Sequence, residues 1–192
     1  MTIELLDVCK SYGGRKVLDK FSLTFESEHS YIVTGPAGSG KTTLIRIMLG
    51  LEKQDSGTVS LLGDYKYPYL NAGVVFSEDR LVMNATAVRN VTMVNKKIYE
   101  IVAREELSKL LPEGCADMRV GALTPEQRRI VAIVRACCIP FDMLIMDEPF
   151  QGISGAMRER VIPFIREKQS RNPLLIATRN PEGLSFGRII SL

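Results

Sequence analysis

Apolar and polar positions alternate in "TIELLDV" (residues 2–8) and again in "FSLTFES" (21–27), with the turn-forming "YGGRK" between them. That period of two predicts two strands. "SYIVTG" (30–35) is a short apolar run closed by glycine, as in a buried strand, and "SGTVSLLG" (56–63) and "AGVVFS" (72–77) predict two more. In "TTLIRIMLGL" (42–51) the period changes: Leu44, Ile47, Met48 and Leu51 share one helical face. From about Ala85 to Leu111 the grouping is again helical, most clearly in "NKKIYEIVAREELSKLL". "TPEQRRIVAIVRACC" (124–138) predicts a helix capped by Thr124, with Pro125 in its first turn and Glu126 and Gln127 behind it. "DMLIMDE" (142–148) is a strongly apolar strand that ends in two acids. A helix over Gly155–Gln169 follows, then "NPLLIATR" and "GRIISL" as closing strands.

Strands and helices thus alternate around the Gly-rich segment and again around the acid pair, which predicts an α/β fold on a mainly parallel sheet. The central helical stretch interrupts that alternation. No repeat or low-complexity linker divides the 192 residues.

Composition narrows the function classes. The formal net charge is only +3 and the basic residues are scattered, so no nucleic-acid partner is expected. No apolar run reaches the length of about 18–20 residues that a membrane helix needs. The opening "MTIELLDVCKSYGG" carries acids where a signal peptide has a basic head, so the expected location is cytoplasmic. The four cysteines (9, 115, 137 and 138) form no C-x-x-C pair, and reduced thiols are expected, most of them in the core. The single histidine, His29, lies in polar "ESEHS" and reads as a turn residue.

The candidate chemistry begins in "TGPAGSGKTT". Gly35-x-x-x-x-Gly40-Lys41-Thr42 matches the phosphate-binding loop, with a strand running in and a helix running out. Glycines allow backbone N–H groups to turn around a polyphosphate, and the helix N-terminus adds partial positive charge. Gly35, Pro36, Ala37, Gly38, Ser39, Gly40, Lys41, Thr42 and Thr43 are the expected binding residues. Lys41 is expected to reach the outer phosphates, and the Thr42 hydroxyl to ligate Mg²⁺. The second half of such a site is a carboxylate at a strand end. Here Asp147 is the expected Mg²⁺ ligand, and Glu148, one residue on, is placed to polarise an attacking water.

In the order of these motifs the chain resembles, over nearly its whole length, the nucleotide-binding domains of ATP-binding cassette (ABC) transporters. Tyr12 in "KSYGG" matches the family's adenine-stacking aromatic, and "LTPEQRRIVAIVRA" lies where the family carries its LSGGQ signature. "MDEPFQGIS" covers the second Walker motif and the D-loop, and "IATRN" the switch position. The segment "VVFSEDRLVMNATAVRNV" is similar to domains of importers for small anions, which leans toward import. The resemblance implies a P-loop NTPase core that binds ATP with Mg²⁺, a small antiparallel strand lobe, and an inserted helical lobe over about residues 81–138. It also implies separate membrane permease subunits as partners, a homodimer or a heterodimer with another ABC ATPase subunit, and a peripheral place on the cytoplasmic face of the membrane.

Four auxiliary motifs depart from the family pattern. The glutamine that senses Mg²⁺ is Ser77, and the two signature glycines are Pro125 and Glu126. The D-loop aspartate is Ser154, and the switch histidine is Arg179. Three readings follow: a transporter ATPase with Glu148 and Lys41 in catalysis; a nucleotide-binding subunit that hydrolyses poorly, as the degenerate half of a heterodimer or as a regulator; and a P-loop kinase acting on a small molecule.

Overall fold

The computed structural model of the chain describes residues 2–63 and 69–192. These form two compact units. The first comprises residues 1–72, 141–147 and 171–192, and the second residues 73–140 and 148–170.

The first unit holds two sheets. Strands β1 (Thr2–Tyr12), β2 (Arg15–Phe25) and β4 (Ser56–Leu62) form an antiparallel sheet in the order β2-β1-β4. Strands β3 (Ser30–Thr34), β6 (Met143–Asp147), β7 (Leu174–Thr178) and β8 (Arg188–Ser191) run parallel, with β7 and β8 flanking β3 and β6 beside β7. β6 and β7 are buried at all five positions, so they read in sequence as unbroken apolar runs rather than alternations. Helix α1 (Lys41–Met48) packs on β6 and β7. Its Leu44, Ile45, Ile47 and Met48 join one core with Ile3, Leu5, Phe25, Val33, Ile145 and Leu175.

Strands β1 and β2 are longer than the alternation predicts. The turn between them is reduced to Gly13 and Gly14, and Arg15 and Lys16 already pair with Tyr12 and Ser11. Bulges between Leu5 and Val8, where Asp7 has φ 49°, break the period and hide the far half of β1.

The second unit begins within β5 (Ala72–Val75) and carries α2 (Ala87–Thr92), α3 (Glu100–Ser108), α4 (Pro125–Cys138) and α5 (Gly155–Gln169). α2, α3 and α5 all pack on α4. The helical stretch expected over 85–111 is two helices. Asn95 stops the first: its side chain accepts from the Lys97 amide (2.9 Å) and its carbonyl from Ile98 (3.1 Å), which is turn chemistry. Cys115 and Cys137 are buried, whereas Cys9 and Cys138 are partly exposed, so half the thiols are fully packed rather than most. Burial pushes the Cys137 thiol up, and the Cys138 thiol to about 11, which keeps both protonated and inert.

Candidate functional site

β3 delivers the chain into the loop Gly35–Gly40, and α1 starts at Lys41. Two glycines make the close turn possible. Gly40 has φ 103°, and a Cβ there would stand 2.4 Å from the Val17 carbonyl oxygen. A Cβ on Gly35 would stand 2.6 Å from the Leu192 carbonyl oxygen. No side chain fits at either position. Lys41 is only 6% exposed, and its ammonium donates to the carbonyls of Gly35 (2.7 Å) and Pro36 (2.9 Å), with Ser39 Oγ at 3.5 Å. The loop is thereby wrapped around a cation. Beside it, an Arg15 guanidinium nitrogen lies 3.9 Å from where a Gly38 Cβ would be.

Asp147 closes β6 and is 1% exposed. The Thr42 hydroxyl donates to its Oδ2 at 2.7 Å, across 105 residues of sequence. Loop and strand end are therefore one arrangement, held by the packing of α1 on β6. A hydroxyl and a carboxylate oxygen side by side are the hard donors that Mg²⁺ takes while keeping most of its water, so these residues fit that ion.

Tyr12, at the end of β1, is half-exposed. Its hydroxyl donates to the Glu52 carboxylate and lies 3.5 Å from Thr43 Oγ1, which sets the ring beside the loop. Lys10 pairs with the same Glu52 (3.5 Å) and with Asp55 (3.2 Å), its ammonium 5.4 Å from the Tyr12 ring centre. Glu52 is invisible to motif reading because its partners are 40 and 42 positions away in the sequence.

Glu148 follows Asp147 and takes the left-handed backbone conformation, φ 47°. Its carbonyl accepts from Arg129 Nη2 (2.6 Å) and from the Gln151 amide (3.1 Å). Among the altered positions, Ser77 and Arg179 are exposed. Ser77 and Pro125 line a single cavity with Asp79, Arg129, Gln151 and Gly152. The retained signature residues Thr124 and Gln127 cap α4 reciprocally: Thr124 Oγ1 accepts from the Gln127 amide (3.2 Å), and the Thr124 amide donates to Gln127 Oε1 (2.9 Å). Glu126 Oε1 accepts from both the amide and the hydroxyl of Ser154, each at 2.7 Å.

A parallel sheet whose strand feeds a glycine loop and a helix, with an acid at the end of another of its strands, defines a P-loop nucleotide-binding fold. The family model "ABC transporter" matches residues 18–151, and the chain belongs to the ABC transporter family. Its relatives include the probable sulfate/thiosulfate import ATP-binding protein CysA of Chlorella vulgaris, 30% identical over 87% of this chain and 75% of that protein. CysA of Rhodopseudomonas palustris is 32% identical over 86% of this chain and 52% of its own length. The Fe(3+) ions import ATP-binding protein FbpC 1 of Rhodococcus jostii is 29% identical over 96% and 57% respectively. The chain thus spans about half the length of two of these three relatives. Among solved structures, a bacterial ABC transporter cassette determined as a dimer superposes with a TM-score of 0.84, at 25% identity, over 99% of this chain and 94% of that one. Among the described residues, no helix is long and apolar enough to cross a membrane.

Proposed function

We propose that this chain is the ATP-binding subunit of an ABC importer, coupling ATP binding and hydrolysis to transport through separate membrane permease subunits. The observation that carries the proposal is the hydrogen bond from Thr42 to Asp147. It brings a phosphate loop and a strand-end carboxylate into the arrangement that phosphoryl transfer needs.

Lys41 would give up its two carbonyl contacts for oxygens of the outer phosphates. The backbone of the loop lies along the polyphosphate, and Tyr12 stacks on the adenine. Thr42 and Asp147 hold Mg²⁺, which when bound supplies neutralising charge on the phosphates. Glu148 takes the proton of the attacking water as general base. Exposed Met93, Val94, Tyr99, Ile101 and Val102, on and between α2 and α3, offer an apolar surface to permease subunits at the cytoplasmic face.

One observation favours a narrower version, in which the subunit hydrolyses poorly as a homodimer and completes its sites with a different cassette subunit. The signature spends its side chains internally: Thr124 and Gln127 on each other, Glu126 on Ser154. At the first glycine position Pro125 has no N–H to offer a facing phosphate.

Measuring ATP binding and phosphate release with Mg²⁺, alone and with a small-molecule acceptor, tests the proposal. Binding followed by acceptor-independent release supports it. Absence of ATP binding overturns it, and release of a phosphorylated acceptor replaces it with the kinase reading.

A further inference from the structure

Arg129 is a buried arginine on α4, 3% exposed, and none of the motifs accounts for it. Its guanidinium reaches two separate segments of the second unit. Toward the residues after the second acid, Nη2 donates to the Glu148 carbonyl (2.6 Å) and Nε to the Pro149 carbonyl (3.2 Å). Toward the loop after β5, Nη1 donates to the Phe76 carbonyl (2.6 Å) and pairs with Asp79 Oδ1 (3.0 Å). That loop is held a second time from the same helix. Arg135 donates to the carbonyls of Asp79 (2.9 Å) and Arg80 (2.8 Å), and the Arg80 guanidinium sits 3.9 Å from the Phe76 ring centre.

The acid that Arg129 grips by its main chain is in an unfavourable conformation. Glu148 is a non-glycine residue at φ 47°, a state that persists only where neighbours over-determine it. Two charge-assisted bonds, to its own carbonyl and to the next, supply that constraint. The planar fork matters: one rigid group makes both contacts at once, which an ammonium cannot do. Phe76, the other anchor, immediately precedes Ser77, the position where the family pattern has a glutamine.

We infer that Arg129, oriented by Asp79, is a positioning residue for Glu148, and that the clamp ties the loop bearing Ser77 to the catalytic acid. The inference rests on the reading of Glu148 as the base of an ATPase. Its structural half, that the clamp holds the backbone of 148–152, stands apart from that reading.

The experiment uses the whole chain with Asp79→Asn and Arg129→Lys, each alone and with Glu148→Gln. Two readouts are taken: steady-state hydrolysis with Mg²⁺, and amide hydrogen exchange across 146–153. In both single variants kcat falls by about tenfold to a hundredfold, the scale of a misplaced catalytic group, with KM within about twofold. On the Glu148→Gln background the same changes add no further loss, because Arg129 acts through Glu148. Exchange of the Gln151 amide, which donates to the Glu148 carbonyl, quickens about tenfold or more, while amides in the middle of α4 keep wild-type rates. Unchanged exchange at Gln151 in Asp79→Asn overturns the clamp, as do losses in kcat that multiply with that of Glu148→Gln. If wild type binds ATP without turning it over, the ATPase reading fails while exchange still decides the clamp. Should Arg129→Lys unfold, Asp79→Asn carries both readouts, because Asp79 is partly exposed and asparagine has its shape.

Discussion

The Glu126 carboxylate receives two hydrogen bonds from Ser154, one from the amide and one from the hydroxyl, both 2.7 Å long. The family pattern has glycine at the first position and aspartate at the second. An aspartate at 154 would set a second carboxylate against Glu126, whereas serine offers donors. The two departures therefore compensate each other, and they place a negative charge at the start of α5, where the helix dipole favours it.

Replacing Glu126 by glutamine should cost about 0.5–1 kcal/mol of stability at pH 7, the usual scale for a helix-terminus contact of this kind. The amide and hydroxyl of Ser154 hold the Glu126 carboxyl below its ordinary 4.5. A lowered value in the folded state contributes stability above pH 4.5 that fades as pH falls through the folded value. Urea denaturation of wild type and Glu126→Gln should thus differ at pH 7 and converge once the pH has fallen below the folded-state value of Glu126. Equal differences at both pH values would remove the charge from the explanation.

Lys41→Ala should abolish most ATP binding. The ammonium sits at the centre of the loop on two carbonyls 2.7 and 2.9 Å away, and its removal takes away a charge-assisted phosphate contact there. Calorimetric titration with ATP checks this, and an unchanged affinity would remove the loop from the binding site.

Tyr12→Ala should weaken ATP by about 0.5–1.5 kcal/mol, the worth of an aromatic stacking contact, and leave pyrophosphate binding nearly unchanged. Tyr12→Phe keeps the ring and loses the bond to Glu52, so it should sit between alanine and wild type. Equal losses of ATP and pyrophosphate in the alanine variant would argue against stacking.

Glu148→Gln should hold ATP without dimerising. In a homodimer the facing signature presents Pro125, which lacks an N–H, and a Glu126 already engaged by Ser154. One lost donor in a preorganised site costs about 3 kcal/mol. Adding Pro125→Gly and Glu126→Gly, or supplying a partner cassette with glycines there, should promote the dimer. Light scattering with ATP and Mg²⁺ measures it; a tight dimer of Glu148→Gln alone would show that the signature works as it stands.

What could be read from the chain was what is contiguous in it. The Gly-rich loop and the acid pair each span a few residues, and the parallel strands β6 and β7 announce themselves by unbroken apolar runs. The bounds of α5 fall where the pattern put them, even with Pro163 inside the helix. The bulge at Asp7 and the turn at Asn95 were illegible, because each follows from a local backbone choice that hydrophobic period does not encode. Arg129 with Asp79, Glu126 with Ser154 and Tyr12 with Glu52 were illegible for the opposite reason: their partners lie 50, 28 and 40 residues away, and only the folded chain brings them together.

The bond between Thr42 and Asp147 spans 105 residues, and that separation makes the site an indicator of the fold itself. An unfolded chain holds no such pair of oxygens, so under the proposed function a nucleotide–cation complex would bind the native state alone. By mass action, a concentration a hundred times the dissociation constant raises stability by about 2.7 kcal/mol. That is a sizeable fraction of what separates a domain from its denatured ensemble. Under that function, nucleotide supply would bear on the persistence of this protein against proteolysis through one hydrogen-bonded pair.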